Sequence, residues 1–275
     1  MNDNKKVNPE YLNIACEILF SRIFHIGDLE FTVEEVEIYV REDPYTHGHP
    51  MQLDVPPDQW YFHRASRSVD AKYKGGTFKG VDITIPNGGC LIRSINIDPN
   101  VGKNGNEYPD GLFIEGPCNV VTWILRESEC VDIEEFVTRN GLSVRNGNLL
   151  NYTNRLDHES LEPNDLGDSN IPDGTRDTII CGPRVGLGFP DDPSESGLAK
   201  YKLLFAPLRF HSRFALDFIK KYKSMMIVRP ENNLIAKATA KWIRAYGKDY
   251  DMQKKPKTVE EWLSAYGTWS RTEFL

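Results

Sequence analysis

Glu35-Val36-Glu37-Ile38-Tyr39-Val40-Arg41 is the stretch from which the fold can be read. Val36, Ile38 and Val40 alternate with Glu35, Glu37, Tyr39 and Arg41, the period-two pattern of a β-strand with one face on a core. The polar set shares the other face, so Glu37 and Tyr39 stand about 7 Å apart along the strand. A loop with Asp43, Pro44, Tyr45, Thr46 and His47 follows. A carboxylate beside an aromatic ring on a rigid strand can activate water next to a stacked planar ligand. An ordinary solvated strand face carries the same pattern, and from this segment alone that solvated face is the expected reading.

Working outward, Asn8 through Phe24 reads as a helix, with Pro9 in its first turn and Leu12, Ala15, Cys16, Leu19 and Ile23 on one stripe. A Pro-rich loop runs to Pro57 after the strand at 33–41. Val81-Asp82-Ile83-Thr84-Ile85 then leads through Pro86-Asn87-Gly88-Gly89 into Cys90-Leu91-Ile92-Arg93-Ser94-Ile95, and Asn-Gly between β-branched runs predicts a hairpin. Residues 96–111 read as a loop, 118–126 and 133–139 as helices, 151–175 as an acidic surface loop and 178–181 as a strand. Strands and helices interleave without a βαβ rhythm or a G-x-G-x-x-G. The expected fold is α+β: one mixed, largely antiparallel sheet with surrounding helices over 8–218. A C-terminal helical extension containing Trp242, Trp262 and Trp269 is expected over 219–275.

The chain has 275 residues and a net charge of −7, long enough for one large domain. Its apolar runs fall short of a membrane span, and the polar start at Asn2-Asp3-Asn4-Lys5-Lys6 does not read as a signal peptide. Five scattered cysteines without a C-x-x-C suit a reducing, intracellular address, cytoplasmic or nuclear. Charge is unevenly spread. Residues 200–257 hold 15 Lys/Arg against 4 Asp/Glu, and residues 1–199 hold 17 against 33. Lys220, Lys221, Lys223, Lys241 and Arg244 therefore offer a side for a polyanion, although basic helices are commonly just solvated.

Other constellations point less far. His47-x-His49 with Asp43 and His63 contains metal-ligating types, but its spacing matches no zinc signature, and no metal or cofactor is expected. Asp98-Pro99-Asn100-Val101-Gly102 lacks the later ligands of a calcium loop. Cys118 at a helix start is placed for a lowered pKa, without a histidine tied to it.

Several segments, taken in order across residues 30–214, resemble the alkyladenine (3-methyladenine) DNA glycosylase family. Glu35-Val36-Glu37-Ile38-Tyr39 resembles its V-E-T-E-A-Y strand, and His47 stands near its pocket histidine. Leu91-Ile92-Arg93-Ser94-Ile95 is similar to its L-L-R-A-L strand, and Glu115-Gly116-Pro117-Cys118 to its helix start. Arg184-Val185-Gly186-Leu187-Gly188 matches R-V-G-V-G, and Ala206-Pro207-Leu208-Arg209-Phe210 is similar to K-P-L-R-F-Y. The matches cover about two-thirds of the chain.

The resemblance implies a monofunctional N-glycosylase, a monomer without cofactor, that excises an alkylated or deaminated purine rotated out of DNA. Glu37 would take the proton of the attacking water, which Arg93 and the backbone carbonyl of Val185 would orient. Tyr39 and His47 would stack on the base. The chain departs from the family at Tyr73-Lys74-Gly75-Gly76-Thr77-Phe78-Lys79-Gly80-Val81-Asp82, which stands where Y-G-M-x-x-C-x-N is expected. The duplex wedge there falls near Gly75, beside Tyr73, and the purine-screening asparagine becomes Asp82, which would favour amino-bearing bases. Two alternatives stay open: an N-glycosidase acting on free nucleosides, nucleotides or RNA, and a modified-base binding module without turnover.

Overall fold

The computed structural model of the protein describes residues 8–97, 108, 111–145, 147–154, 179–182, 184, 187 and 208–212. The chain divides into two compact units, one of Glu10–Ile180 with Phe210–Phe218 and one of Met1–Pro9, Cys181–Arg209 and Ile219–Leu275. The first unit is α+β and holds the features described below. The segment expected to form a helical extension, 219–275, lies outside the described residues, as do the lysines named above. No helix among the described residues is long and apolar enough to cross a membrane.

Helix α1 (Pro9–Cys16) opens the unit and passes through a π-helical turn at Glu17–Ser21 into strand β1 (Arg22–Ile26). The single helix expected over 8–24 therefore ends early. Ile23 and Phe24 are β-branched and aromatic, types that pack better on a pleated surface than in a helix. Phe24 also lies opposite Phe31 of β2 (Leu29–Val40), with ring centroids 5.5 Å apart. Further along come α2 (Pro50–Leu53), β3 (Trp60–Phe62), β4 (Val81–Ile85), β5 (Gly88–Ile97) and β6 (Leu112–Glu115). Helices α3 (Pro117–Glu127) and α4 (Ile133–Asn140), then β7 (Leu150–Asn154), β8 (Ile179–Gly182) and β9 (Arg209–Ser212), complete the described elements. Asp132 caps α4 by accepting from the Glu135 N–H, which is why that helix starts where its apolar pattern does.

The sheet order runs β3-β4-β5-β2-β1-β7, with β6 beside the far half of β5. All of these pairings are antiparallel. The registers make two neighbouring rows across four strands. Ile38, Cys90, Ile83 and Trp60 form one row, buried on the face where β5 lies against α3. One residue along each strand, Glu37, Leu91, Asp82 and Tyr61 form the other row, on the opposite face. Phe62 meets Phe136 of α4 at 5.4 Å and Phe31 meets Trp123 of α3 at 5.2 Å, so aromatic edges close the core.

One expectation changes here. The polar face of β2 is not solvated: Glu35 and Glu37 are both fully buried. Helix α2 packs against β4 and β5, where Gln52 reaches down to Asp82. Both faces of the central strands are therefore closed, and the carboxylates on β2 sit in an interior.

The β4–β5 hairpin forms as predicted, but its glycine does different work. Pro86 and Asn87 make the turn, with Asn87 at φ 57°, while Gly88 is already in β5 opposite Val40. A Cβ on Gly88 would come 2.3 Å from the Tyr39 carbonyl oxygen, so the two backbones approach too closely for a side chain. Replacing Gly88→Ala should destabilise the protein by about 1–3 kcal/mol, as overpacking does. Asn87→Gly should be nearly neutral, because glycine accepts the same positive φ. Thermal melts of both variants check this, and an unchanged midpoint for the alanine variant would show that β2 and β5 are not packed this tightly.

Candidate functional site

Two polar clusters share the second face of the sheet, one at each end of the Glu37-Leu91-Asp82-Tyr61 row. The first is built on β2 and β5. Arg93 Nε donates to Glu35 Oε1 at 3.0 Å, its Nη1 lies 3.2 Å from Glu37 Oε2, and the Tyr39 hydroxyl donates to the same Glu37 oxygen at 2.9 Å. Alternation on β2 places Glu35, Glu37 and Tyr39 on one side, and register shifts flank Glu35 where it passes β5. Burial alone would lower the basicity of the Arg93 guanidinium, but the carboxylates of Glu37 and then Glu35 outweigh it and raise its pKa. Glu35 and Glu37 thus share the Arg93 guanidinium in a buried setting.

The second cluster is centred on Tyr61 of β3. The rings of His49, His63 and His47 lie 5.6, 5.8 and 6.2 Å from it, and His47 is 5.0 Å from His63. The Tyr61 hydroxyl is hydrogen-bonded to His47 Nδ1 at 2.9 Å. Asp82, fully buried on β4, accepts from His63 Nε2 at 2.8 Å and from Gln52 Nε2 at 2.7 Å. A carboxylate only accepts, so His63 carries its hydrogen on Nε2 and leaves Nδ1 as the other working nitrogen. Burial, then the Asp82 charge, pushes the Tyr61 phenol pKa up.

Two glycines make room for this network. A Cβ on Gly80 would come 2.7 Å from His63 Nδ1 and Cε1, so the ring lies over bare backbone as it leans to Asp82. A Cβ on Gly89 would come 2.4 Å from Asp82 Oδ2 and 3.0 Å from Gln52 Nε2, so the carboxylate does the same one strand over.

The residues read from the sequence are thus divided. Glu37, Tyr39 and Arg93 come together in the first cluster, and His47 and Asp82 belong to the second. His47 has its ring contacts with Tyr61 and His63. Asp82 meets Gln52 and His63 with its two oxygens, so it reaches a ligand through those side chains. Tyr73 stands outside both clusters. The Arg64 guanidinium lies 3.6 Å from its ring centroid and Nη2 donates to its hydroxyl at 2.8 Å. Gly75 is open, and three residues on, Phe78 is 75% exposed at the end of a short 3-10 turn, Gly76–Phe78. Val185 lies outside the described residues.

Sequence reasoning missed Gln52, Tyr61 and His63 as partners of Asp82. The signal was the alternation in Trp60-Tyr61-Phe62-His63, with Trp60 and Phe62 on the core side and Tyr61 and His63 opposite. The histidines do not form a metal centre. His49 accepts from the Met51 N–H on Nδ1 and donates from Nε2 to the Ser68 carbonyl, capping α2. Among the described residues no group of three or more His, Cys, Asp or Glu is arranged to hold a metal ion.

Two outcomes follow from these environments. Arg93→Met should cost about 3–5 kcal/mol of stability, because it removes a cation that Glu35 and Glu37 share in the interior. Denaturant unfolding measures it. Burial, helped by His63 and Lys74, lowers the His47 pKa from 6.5 to about 4. The folded state therefore binds this proton less readily than the unfolded chain. Its stability is intact above pH 6.5 and is drained as pH falls toward about 4. His47→Gln should flatten that acid-side decline in melting temperature, and an unaltered slope would place the titration elsewhere.

No model of a known protein family matches the chain. A protein of Acanthamoeba polyphaga mimivirus, described as uncharacterized, is 29% identical to it over 210 residues, covering 67% of this chain and 82% of that protein.

Proposed function

We propose that the chain is an N-glycosyl hydrolase that removes an alkylated or deaminated purine from DNA, using water activated by Glu37. The observation that carries this reading is the Glu37 carboxylate, fully buried and held at one oxygen by both Arg93 and Tyr39. A carboxylate fixed this way cannot swing, which general-base work requires. A buried carboxylate at this position suits a transition state in which the sugar ring turns cationic as the base departs.

Each residue then has a task. Glu37 takes a proton from water as its oxygen bonds to the sugar C1′. Arg93 holds Glu37 in place and limits where the water can sit. Tyr39 reports the position of the carboxylate through its hydroxyl and offers its ring to a planar base. The backbone carbonyl of Val185 would hold the same water, as the resemblance to the alkyladenine DNA glycosylases implies. Exposed Phe78 supports DNA over a free nucleoside, because an apolar side chain beside Lys74 and Lys79 is suited to enter a base stack.

The test is release of free base from duplex and single-stranded DNA with alkylated or deaminated purines. Glu37→Gln should slow release by about 10²–10⁴-fold, the usual contribution of a positioned general base. Phe78→Ala should weaken duplex binding more than it slows release from single strands. Absence of release by the wild-type protein from every such substrate would overturn the reading. Tight binding of modified bases without turnover would assign the scaffold to recognition instead.

A further inference from the structure

We infer that the Lys74 amine is a nucleophile that condenses with the aldehyde of an abasic sugar, giving the protein a lyase activity that cuts the strand once the base is gone. The inference takes its substrate from the hydrolytic reading, because removing a base from DNA leaves a C1′ hemiacetal that opens to an aldehyde. Its ground is the placement of Lys74.

Beyond Phe62 the chain of β3 continues as a short ladder. Arg64 pairs with Tyr73, the Ala65 N–H donates to the Lys72 carbonyl at 2.8 Å, and the Lys74 N–H donates to the His63 carbonyl at 2.8 Å. His63 and Lys74 are thus cross-strand neighbours, one step from the Arg64–Tyr73 pair. Side chains alternate along such a ladder, so the two pairs take opposite sides. Arg64 and Tyr73 take the core side, where the Tyr73 ring meets Phe62 at 6.4 Å and the guanidinium lies 3.6 Å from the ring centroid. His63 and Lys74 take the other side, that of Tyr61, Asp82 and Glu37. Lys74 is near enough to Asp82 and His47 for their charges to act on one another.

The setting favours a free amine. Lys74 is half-buried, and burial holds its pKa below the usual lysine range, with Asp82 opposing part of that shift. Among the described residues no hydrogen bond or ion pair occupies the ammonium group. A fully exposed lysine keeps its proton and serves as a phosphate contact, whereas a desolvated one is the type that forms imines. Glu37 and Asp82 stand two strand spacings apart, about 10 Å, with Lys74 at the Asp82 end. Loss of the base empties that end. The ring-opened sugar carries its aldehyde on a chain end that can swing into the space, toward the four-carbon stem of the lysine.

The steps balance without an oxidant or a reductant. The Lys74 nitrogen bonds to C1′, and the carbonyl oxygen leaves as water with the two amine hydrogens. C2′ gives a proton to solvent, its electron pair becomes the C2′–C3′ double bond, and the C3′–O bond breaks with its pair leaving on the phosphate. Water then splits the imine and returns Lys74, leaving an unsaturated aldehyde on one fragment and a 5′ phosphate on the other.

The experiment incubates the full chain with duplex DNA that holds a preformed abasic site, with and without sodium borohydride. The wild-type protein should cut the strand without borohydride. With borohydride the imine should be reduced to a stable protein–DNA adduct, whose peptide maps to Lys74 by mass spectrometry. Adduct yield should rise with pH, because only the uncharged amine attacks. Lys74→Arg should abolish the adduct, since a guanidinium does not form it, while Lys72→Arg, exposed and two residues away, should retain it. An adduct that maps to Lys72 or Lys79, or that persists in Lys74→Arg, would overturn the inference. So would the absence of both cutting and adduct in the wild-type protein. Because the abasic site is supplied ready-made, that result would leave Glu37 hydrolysis to stand or fall on base release alone.

Discussion

Arg93 is the side chain on which the central sheet depends. It joins β5 to β2 by reaching two carboxylates, Glu35 and Glu37, that sequence alternation places on the same side of the longer strand. Without it Glu35 and Glu37 would lose a cation that they share in the interior, a loss that is large against ordinary folding stabilities. With it, the pairing of β2 and β5 is held both by backbone hydrogen bonds and by charge. The same arrangement positions Tyr39 over Glu37, so a structural ion cluster and a candidate reaction centre are one set of atoms.

The sheet separates two jobs by face. Ile38, Cys90, Ile83 and Trp60 go to the core, and their burial supplies cohesion at about 25 cal/mol per Å². One residue along, Glu37, Leu91, Asp82 and Tyr61 carry the polar chemistry. A single-residue slip of register would exchange the two rows and bury the wrong set. The apolar row therefore guards the polar one, because the mismatch it would suffer is what keeps the register from shifting.

Much of this was legible in the sequence, and the misses have physical reasons. The β2 alternation, the β4–β5 hairpin and the starts of α3 and α4 carry strong local signals, and all are present. Alternation also put Glu37 beside Tyr39, while Arg93 was joined to them only by what the family resemblance implies. The end of α1 was not, because an apolar stripe at helical spacing continued into residues whose tertiary partners draw them into a strand. The burial of the Glu35–Glu37 face was hidden as well, since alternation tells which side a residue takes and not what packs on that side. His63 was read only among metal-ligating types, and its pairing with Asp82 was missed because a link across a sheet leaves no trace in spacing along the chain.

Gly80 and Gly89 set the character of the polar network more firmly than its charged members do. His63 and Asp82 rest on main chain instead of on neighbouring side chains. Main chain in a paired sheet has no rotamers, so the surface beneath these two groups offers no alternative seats. Their entropy is surrendered when the protein folds and not when something binds. A molecule reaching this face would meet a floor already in place, and any delay in its capture would arise in the surrounding loops.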